Sequence, residues 1–314
     1  MLVKGLLLLL FMSSAVQVPS QPEPRSGHDL VWHDGLGLVL LVNGDHNLTD
    51  DPGITWGWDG EEWDVVSEDA PPSHTLGGVA YDSARDILVL YGGSQSAFEY
   101  SDETWMWDGQ VWHQVDTPSP GERDHFSMVY DAAHEDVMLY GGSFFPDDTR
   151  FTDTWTWNGV EWSQKETIGS GTRFHYAMAY DSERERVLVF GGWSGSTELN
   201  DLWTWDSEEW MRLDEGTGPS RRSGARMAFD EQAGVMVLFG GALGHDFLDD
   251  TWLWDGEAWT EFVADTAPSP RSHHAMAYDP VRRKIMLFGG YDGENLGDTW
   301  EWDMENGWVN PAVG

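Results

Sequence analysis

Residues 154–162 read TWTWNGVEW, three tryptophans in nine positions, in a chain that carries 20 tryptophans among 314 residues. Tryptophans at i and i+2 of a strand point to the same side of it. The Asn158-Gly159 pair that follows directly is the strongest short hairpin signal. The stretch therefore predicts two antiparallel strands, called C and D below. The same motif recurs at Trp56/Trp58/Trp63, Trp105/Trp107/Trp112, Trp203/Trp205/Trp210, Trp252/Trp254/Trp259 and Trp300/Trp302/Trp308. Eighteen of the 20 tryptophans belong to it, leaving Trp32 and Trp193 outside.

Upstream of each copy lies a Gly-Gly pair, at 92–93, 141–142, 191–192, 240–241 and 289–290, with Asn43-Gly44 as a degenerate first copy. An apolar strand B such as Arg186–Phe190 ends at the pair. Before it, a strand A leads to an aromatic residue that is followed by aspartate in repeats two to six, as in Tyr180-Asp181. Each unit thus has four strands in a period of 49 or 50 residues. One such sheet cannot bury both of its apolar faces, and stacking copies around an axis solves this. The expected fold class is all-β, a six-bladed propeller with four antiparallel strands per blade.

Composition narrows the function. The formal charge of −38, from 55 acidic against 17 basic residues, disfavours nucleic acid and anionic lipid as partners. The absence of cysteine removes disulfides, thiolate metal sites and cysteine nucleophiles. Lys4, the apolar run Leu6–Met12 and the small residues Ser13-Ser14-Ala15 have the form of a secretory signal peptide. No run reaches the ~20 apolar residues of a membrane-spanning helix. The expected organisation is a signal peptide at 1–15, a linker at 16–24 and a propeller at 25–310. Its blades fall near 25–70, 71–119, 120–169, 170–218, 219–267 and 268–310. A secreted or periplasmic monomer is expected, without cofactor or metal. Asn47-Leu48-Thr49 is a glycosylation sequon, relevant only in a eukaryotic host.

The Gly-Gly after strand B, the aromatic in C, the Trp in D and the period resemble kelch repeats over residues 25–310. That resemblance implies a binding propeller or, less often, an enzyme. Galactose oxidase, a kelch-like copper enzyme, builds its cofactor from a tyrosine cross-linked to cysteine, which this chain lacks. The secreted sialic acid mutarotase, also six-bladed, is the enzymatic alternative, although no motif here carries its catalytic residues across. The leading expectation is a non-catalytic module that binds a protein or glycan.

Two sets of residues stand out. A basic residue opens strand A at Arg25, His74, Arg123, Arg173, Arg222 and Arg271, and Ile54, Glu103, Asp153, Asp201, Asp250 and Asp298 precede the Thr-Trp or Leu-Trp step. The exceptions, Ile54 and His74, coincide if each acid pairs with the next blade. This predicts Glu103–Arg123, Asp153–Arg173, Asp201–Arg222, Asp250–Arg271 and Asp298–Arg25. The second set lies on or near the B–C loops, which vary most between repeats and so form the expected working face. It comprises Trp193 and Tyr291, with His125, His175 and His273 at one equivalent position and Phe126, Tyr176 and His274 at the next. Three readings of it remain open: packing between blades, a sugar or peptide pocket, and a metal site. The acidic loops Asp147-Asp148 and Asp249-Asp250 lack the EF-hand pattern and read as solvated charge.

Overall fold

The computed structural model describes residues 20–45, 53–68, 71, 75–96, 99–167 and 169–311. The signal-peptide segment, the sequon and His74 lie outside them. Six four-stranded antiparallel sheets surround a central channel, each in the order A-B-C-D and each from one continuous segment. In blade 4 the strands are Ala177–Asp181, Arg186–Phe190, Leu202–Trp205 and Trp210–Asp214. Strand B is the driest element of every blade: Val187, Leu188 and Val189 are fully buried, as are Leu88, Val89 and Leu90 in blade 2. Apolar clusters lie between blades, joining Ala177, Leu188 and Phe190 of blade 4 to Met227, Leu238 and Trp254 of blade 5.

The tryptophan motif now resolves position by position. The second Trp of strand C is buried in every blade, Trp157 completely. The first, two residues away, donates its indole N–H to the acid before the motif. Trp155 reaches Asp153 at 2.7 Å, Trp203 Asp201 at 2.6 Å, and Trp252 Asp250 and Trp300 Asp298 at 2.7 Å each. In blades 1, 3, 4 and 6 the third Trp, on strand D, donates to the threonine of the preceding blade, whereas Trp112 of blade 2 makes no such bond to Thr55. Trp162 reaches Thr104 at 2.9 Å, Trp210 Thr154 at 3.0 Å, Trp308 Thr251 at 2.9 Å and, across the seam, Trp63 Thr299 at 3.1 Å. Blade 4 has Leu202 in place of that threonine, and the Trp259 indole N–H has no partner. Thr154→Val should therefore cost about 1–3 kcal/mol, the penalty for stranding the Trp210 donor. Chemical denaturation checks this, with the already unpaired Trp259 as the natural comparison.

The ion pairs correct the expected direction. Arg123 binds Asp153 at 2.8 Å, Arg173 Asp201 at 3.2 Å, Arg222 Asp250 at 2.6 Å and Arg271 Asp298 at 2.6 Å, each within one blade. None of the next-blade pairs forms. The guanidinium runs back along its own sheet and caps the carbonyl of the first Gly of its own pair, Gly141, Gly191, Gly240 or Gly289, at 3.0–3.1 Å. The acid ends the loop that starts there, so the same blade supplies it. Asp298 is therefore not the partner of Arg25, which bonds the carbonyls of Asn43 at 3.0 Å and Glu23 at 3.1 Å. Glu103 accepts from Trp105 at 2.9 Å. Contact with the neighbour is made by the arginine backbone: the Arg123, Arg222 and Arg271 carbonyls accept from Gly93, Gly192 and Gly241 of the preceding blade. The same bond, Gly290 N–H to Arg25 O at 2.9 Å, closes blade 6 on blade 1.

On the opposite face, A–B turn side chains clasp the next blade's C–D turn. Arg85 lies over Gly159, Arg184 over Gly256 and Arg282 over Gly60, where any Cβ would collide with the guanidinium stem. His134, at the equivalent position of blade 3, meets Ser207 of blade 4 at 2.8 Å. The glycine after Asn or Asp thus makes room for a neighbour as well as a turn.

Candidate functional site

Six equivalent residues, Gly27, Leu76, His125, His175, Gly224 and His273, all adopt φ between 54° and 68°. This conformation turns the backbone N–H and C=O of each toward its neighbours around the axis. The result is a closed circle of hydrogen bonds. Gly27 donates to His273, His273 to Gly224, Gly224 to His175, His175 to His125, His125 to Leu76 and Leu76 to Gly27, at 2.7–3.2 Å. The circle seals the channel at the end facing the B–C loops. The readable signal was the mixture of Gly and His in one column, since glycine supplies a left-handed backbone without strain.

The histidines of this circle converge. His125 and His175 have ring centroids 4.1 Å apart, and His273 Nε2 lies 2.8 Å from His175 Nδ1. His125 Nδ1 is 2.5 Å from Asp124 Oδ1, and Ser272 Oγ is 2.9 Å from His273 Nδ1. Burial pushes His273 down to about 3 and His175 well below the usual range, with neighbouring positive groups adding to the effect. The trio is a partly exposed patch in which His175 and His273 are held neutral. Among the described residues, no cluster of three His, Asp or Glu side chains has metal-binding geometry.

Phe126, Tyr176 and His274 occupy the next position and are buried between blades. Tyr176 accepts from the Ser127 N–H at 3.0 Å and donates to the Tyr140 carbonyl. His274 packs edge-on against Phe239, with neither ring nitrogen bonded. Burial, with Arg226 and Arg271 nearby, keeps it neutral, and His28 is likewise pushed down to about 3 by burial and Arg25. A histidine whose folded pKa is depressed stabilises the fold above its unfolded value. That contribution is lost as pH falls below roughly 6.5, at about 1.4 kcal/mol per pH unit and group. His274→Phe, which installs the residue blade 3 carries as Phe126, should therefore gain on wild type as pH drops from 7 toward 5. Asp29, discussed below, acts in the opposite sense but equally in both proteins. Parallel urea titrations at stepped pH measure the difference.

Trp193 and Tyr291 share one position, the residue after the Gly-Gly pair. Trp193 forms a backbone bridge with Phe174, and Tyr291 one with Ser272. The B–C loops of blades 2, 3 and 5 fold into short ribbons, Ser94–Ser96 with Glu99–Tyr100, Ser143–Phe144 with Thr149–Arg150, and Ala242–Leu243 with Asp246–Phe247. In blade 6 the B and C strands themselves extend as Lys284–Tyr291 and Asn295–Asp303. Exposed Phe145, Leu243 and Tyr291 stand on these elements. Arg150 lies 5.5 Å over Phe145 and 5.2 Å over Phe174, which in turn flank His125. The acidic loops are partly engaged: Asp250 binds Arg222, and Asp148 lies 2.7 Å from Arg150.

The channel itself is a cavity of about 480 Å3 lined by strand A of all six blades. It opens toward the A–B turns, with Asp34, Ser83, Ser182 and Glu231 at its edge, away from the loop face. Next to the sealing circle come Asp29, Gly78, Ser127, Ala177, Arg226 and Ala275 in equivalent positions. Two residues outward, the column is wholly apolar: Val31, Ala80, Val129, Ala179, Ala228 and Ala277. Trp32, Tyr81, Tyr130, Tyr180, Phe229 and Tyr278 follow at the mouth. Sequence reasoning missed this cavity. The clue was Arg226, a long cation in a column of otherwise small or acidic residues.

Ring geometry, blade count and repeat motif together define the class: a six-bladed β-propeller closed without strand exchange. The KLHDC2/KLHL20/DRC7 Kelch-repeats domain model matches residues 134–313, more than half of the chain. The chain belongs to the kelch-repeat family, whose propellers generally serve as protein-interaction modules. A search of curated proteins gave no match.

Proposed function

We propose that this chain is an exported, non-catalytic interaction module that takes a protein partner on its B–C loop face. The observation that carries the reading is the set of folded B–C loops, which present Phe145, Leu243 and Tyr291 to solvent around three clustered histidines. Aromatic side chains held on short ribbons offer large contact area with little ordering entropy left to lose. The surrounding charge of −38 favours a neutral or basic partner. Export rests on the N-terminal Lys4-to-Ala15 pattern alone.

A sugar mutarotase finds less support. A pyranose needs polar partners along its whole ring, whereas polar groups in the channel are confined to the two ends of an apolar belt. The test is a displayed random-peptide selection run beside a glycan array, each repeated with Phe145→Asp and Tyr291→Asp. Selected peptides that lose binding to both variants support a protein-binding loop face. Peptide binding unaffected by either variant moves the interface elsewhere, and array hits without peptides replace the protein reading with a glycan one.

A further inference from the structure

We propose that the central channel is a second binding site, for a small monocarboxylate with an apolar body, whose carboxylate sits on Arg226. The four described arginines that pair at the start of strand A bind an aspartate through both terminal nitrogens. Arg226 differs. Its Nη1 donates to the Ala225 carbonyl at 3.3 Å, and no carboxylate among the described residues lies within ion-pair distance. Desolvation weakens its hold on its proton, and its charge is felt by His28, His175, His273 and His274, all held neutral. A half-buried guanidinium that faces the channel with no carboxylate partner is a ready site for an anion.

Asp29 is the one acid at the same level, and burial raises its carboxyl to about 7 despite Arg226. Near neutral pH it is therefore partly protonated, able to donate to a bound carboxylate rather than to compete with it. Ser127 adds a hydroxyl on the third side. Beyond this polar floor the belt of Val31, Ala80, Val129, Ala179, Ala228 and Ala277 offers no hydrogen-bonding side chain, so the rest of the ligand is apolar. The aromatic mouth suits a flat ring. A volume of about 480 Å3 accommodates a molecule of that kind within the usual range of ligand pockets. The site opens opposite the loop face, so its fate is independent of the reading above.

Phenylacetate, hexanoate, phenylacetamide and acetate serve as probes, followed by calorimetry. Saturable binding of phenylacetate and hexanoate is expected, with phenylacetamide and acetate each weaker by roughly tenfold or more, the worth of a charge-assisted bond or of a buried apolar body. Arg226→Gln should remove the preference for carboxylate over amide. Asp29→Asn should keep it and abolish the loss of affinity on going from pH 6 to 8. Equal binding of acid and amide, an unchanged preference in Arg226→Gln, or no binding of either long carboxylate to the wild-type protein would overturn the proposal. Should Arg226→Gln fail to fold, Val129→Phe, at a partly exposed position of the belt, must abolish binding of both long carboxylates.

Discussion

Asp250→Ala should lower the stability of the protein by about 3–5 kcal/mol, the range for stripping the partner from a buried charge. Arg222 is fully buried and holds Asp250 through Nη1 at 2.6 Å and Nη2 at 2.7 Å. The Trp252 indole N–H, 2.7 Å from the same carboxylate, loses its acceptor too. Burial alone would push the Asp250 carboxyl up, yet Arg222 and Trp252 hold it below the ordinary range, so the pair is ionised at neutral pH. Its contribution is present above an unfolded pKa of roughly 4 and is lost as acid protonates the carboxylate. Equilibrium denaturation measures the loss. Glu103→Ala is the contrast, expected to cost about 1 kcal/mol because, among the described residues, the side-chain bond Glu103 accepts is that of the Trp105 indole. A double replacement of Arg222 and Asp250 should cost less than the sum of the single ones, because neither charge is then left alone. Equal effects of Asp250→Ala and Glu103→Ala would show that the pair is a bystander.

Gly289→Val is expected to be at least as damaging, about 4 kcal/mol or more, through strain and overpacking at once. Gly289 has φ of 63°, and a Cβ there would lie 2.6 Å from the Arg25 carbonyl and 2.9 Å from His28 Cε1. Both contacts belong to blade 1, so the substitution forces apart the seam that Gly290 closes. Thermal unfolding should lose its single sharp transition, and limited proteolysis should cut first at the chain ends. Gly244→Val separates the two causes. It has the same φ of 63° and nothing within 4 Å of its added Cβ. It should show the cost of backbone strain alone, about 1–2 kcal/mol. If Gly289→Val costs no more than Gly244→Val, close packing at the seam does not limit stability.

The blade architecture was legible because its signals are local and repeated. A Gly-Gly pair, a hairpin dipeptide and a tryptophan at fixed spacing recur often enough to fix register and count. The partner of each arginine was not legible. Ile54 and His74 are exceptions in neighbouring blades, and the coincidence suggested a bond between blades. A column of residue types records that charges alternate along the chain, but not which way a long side chain folds back. Arg173 could reach Asp153 or Asp201 by spacing alone, and the Gly191 carbonyl, invisible in sequence, decides for Asp201. The histidine circle failed for a similar reason, since its bonds are made by backbone atoms common to every residue. The channel site rests on a single departure from pattern, Arg226, which a repeat of residue types does not reveal.

Closure without strand exchange has a consequence for how the protein is made. Trp63 donates to Thr299, and Arg25 O accepts from Gly290. During synthesis the first blade therefore waits, one flank bare, while roughly 240 further residues emerge, an interval of about 12–50 s at ribosomal speeds. In that time its uncovered Trp58 and Trp63 face whatever else is nearby. A ring joined by exchanged strands would face the same delay, but here the latch is made of side chains and a few backbone bonds, Gly290 to Arg25, Arg25 to Leu296 and Gly27 to His273. The nascent first blade is thus the segment for which a holding chaperone matters most, and a permuted chain begun at another blade would move that burden without altering the finished ring.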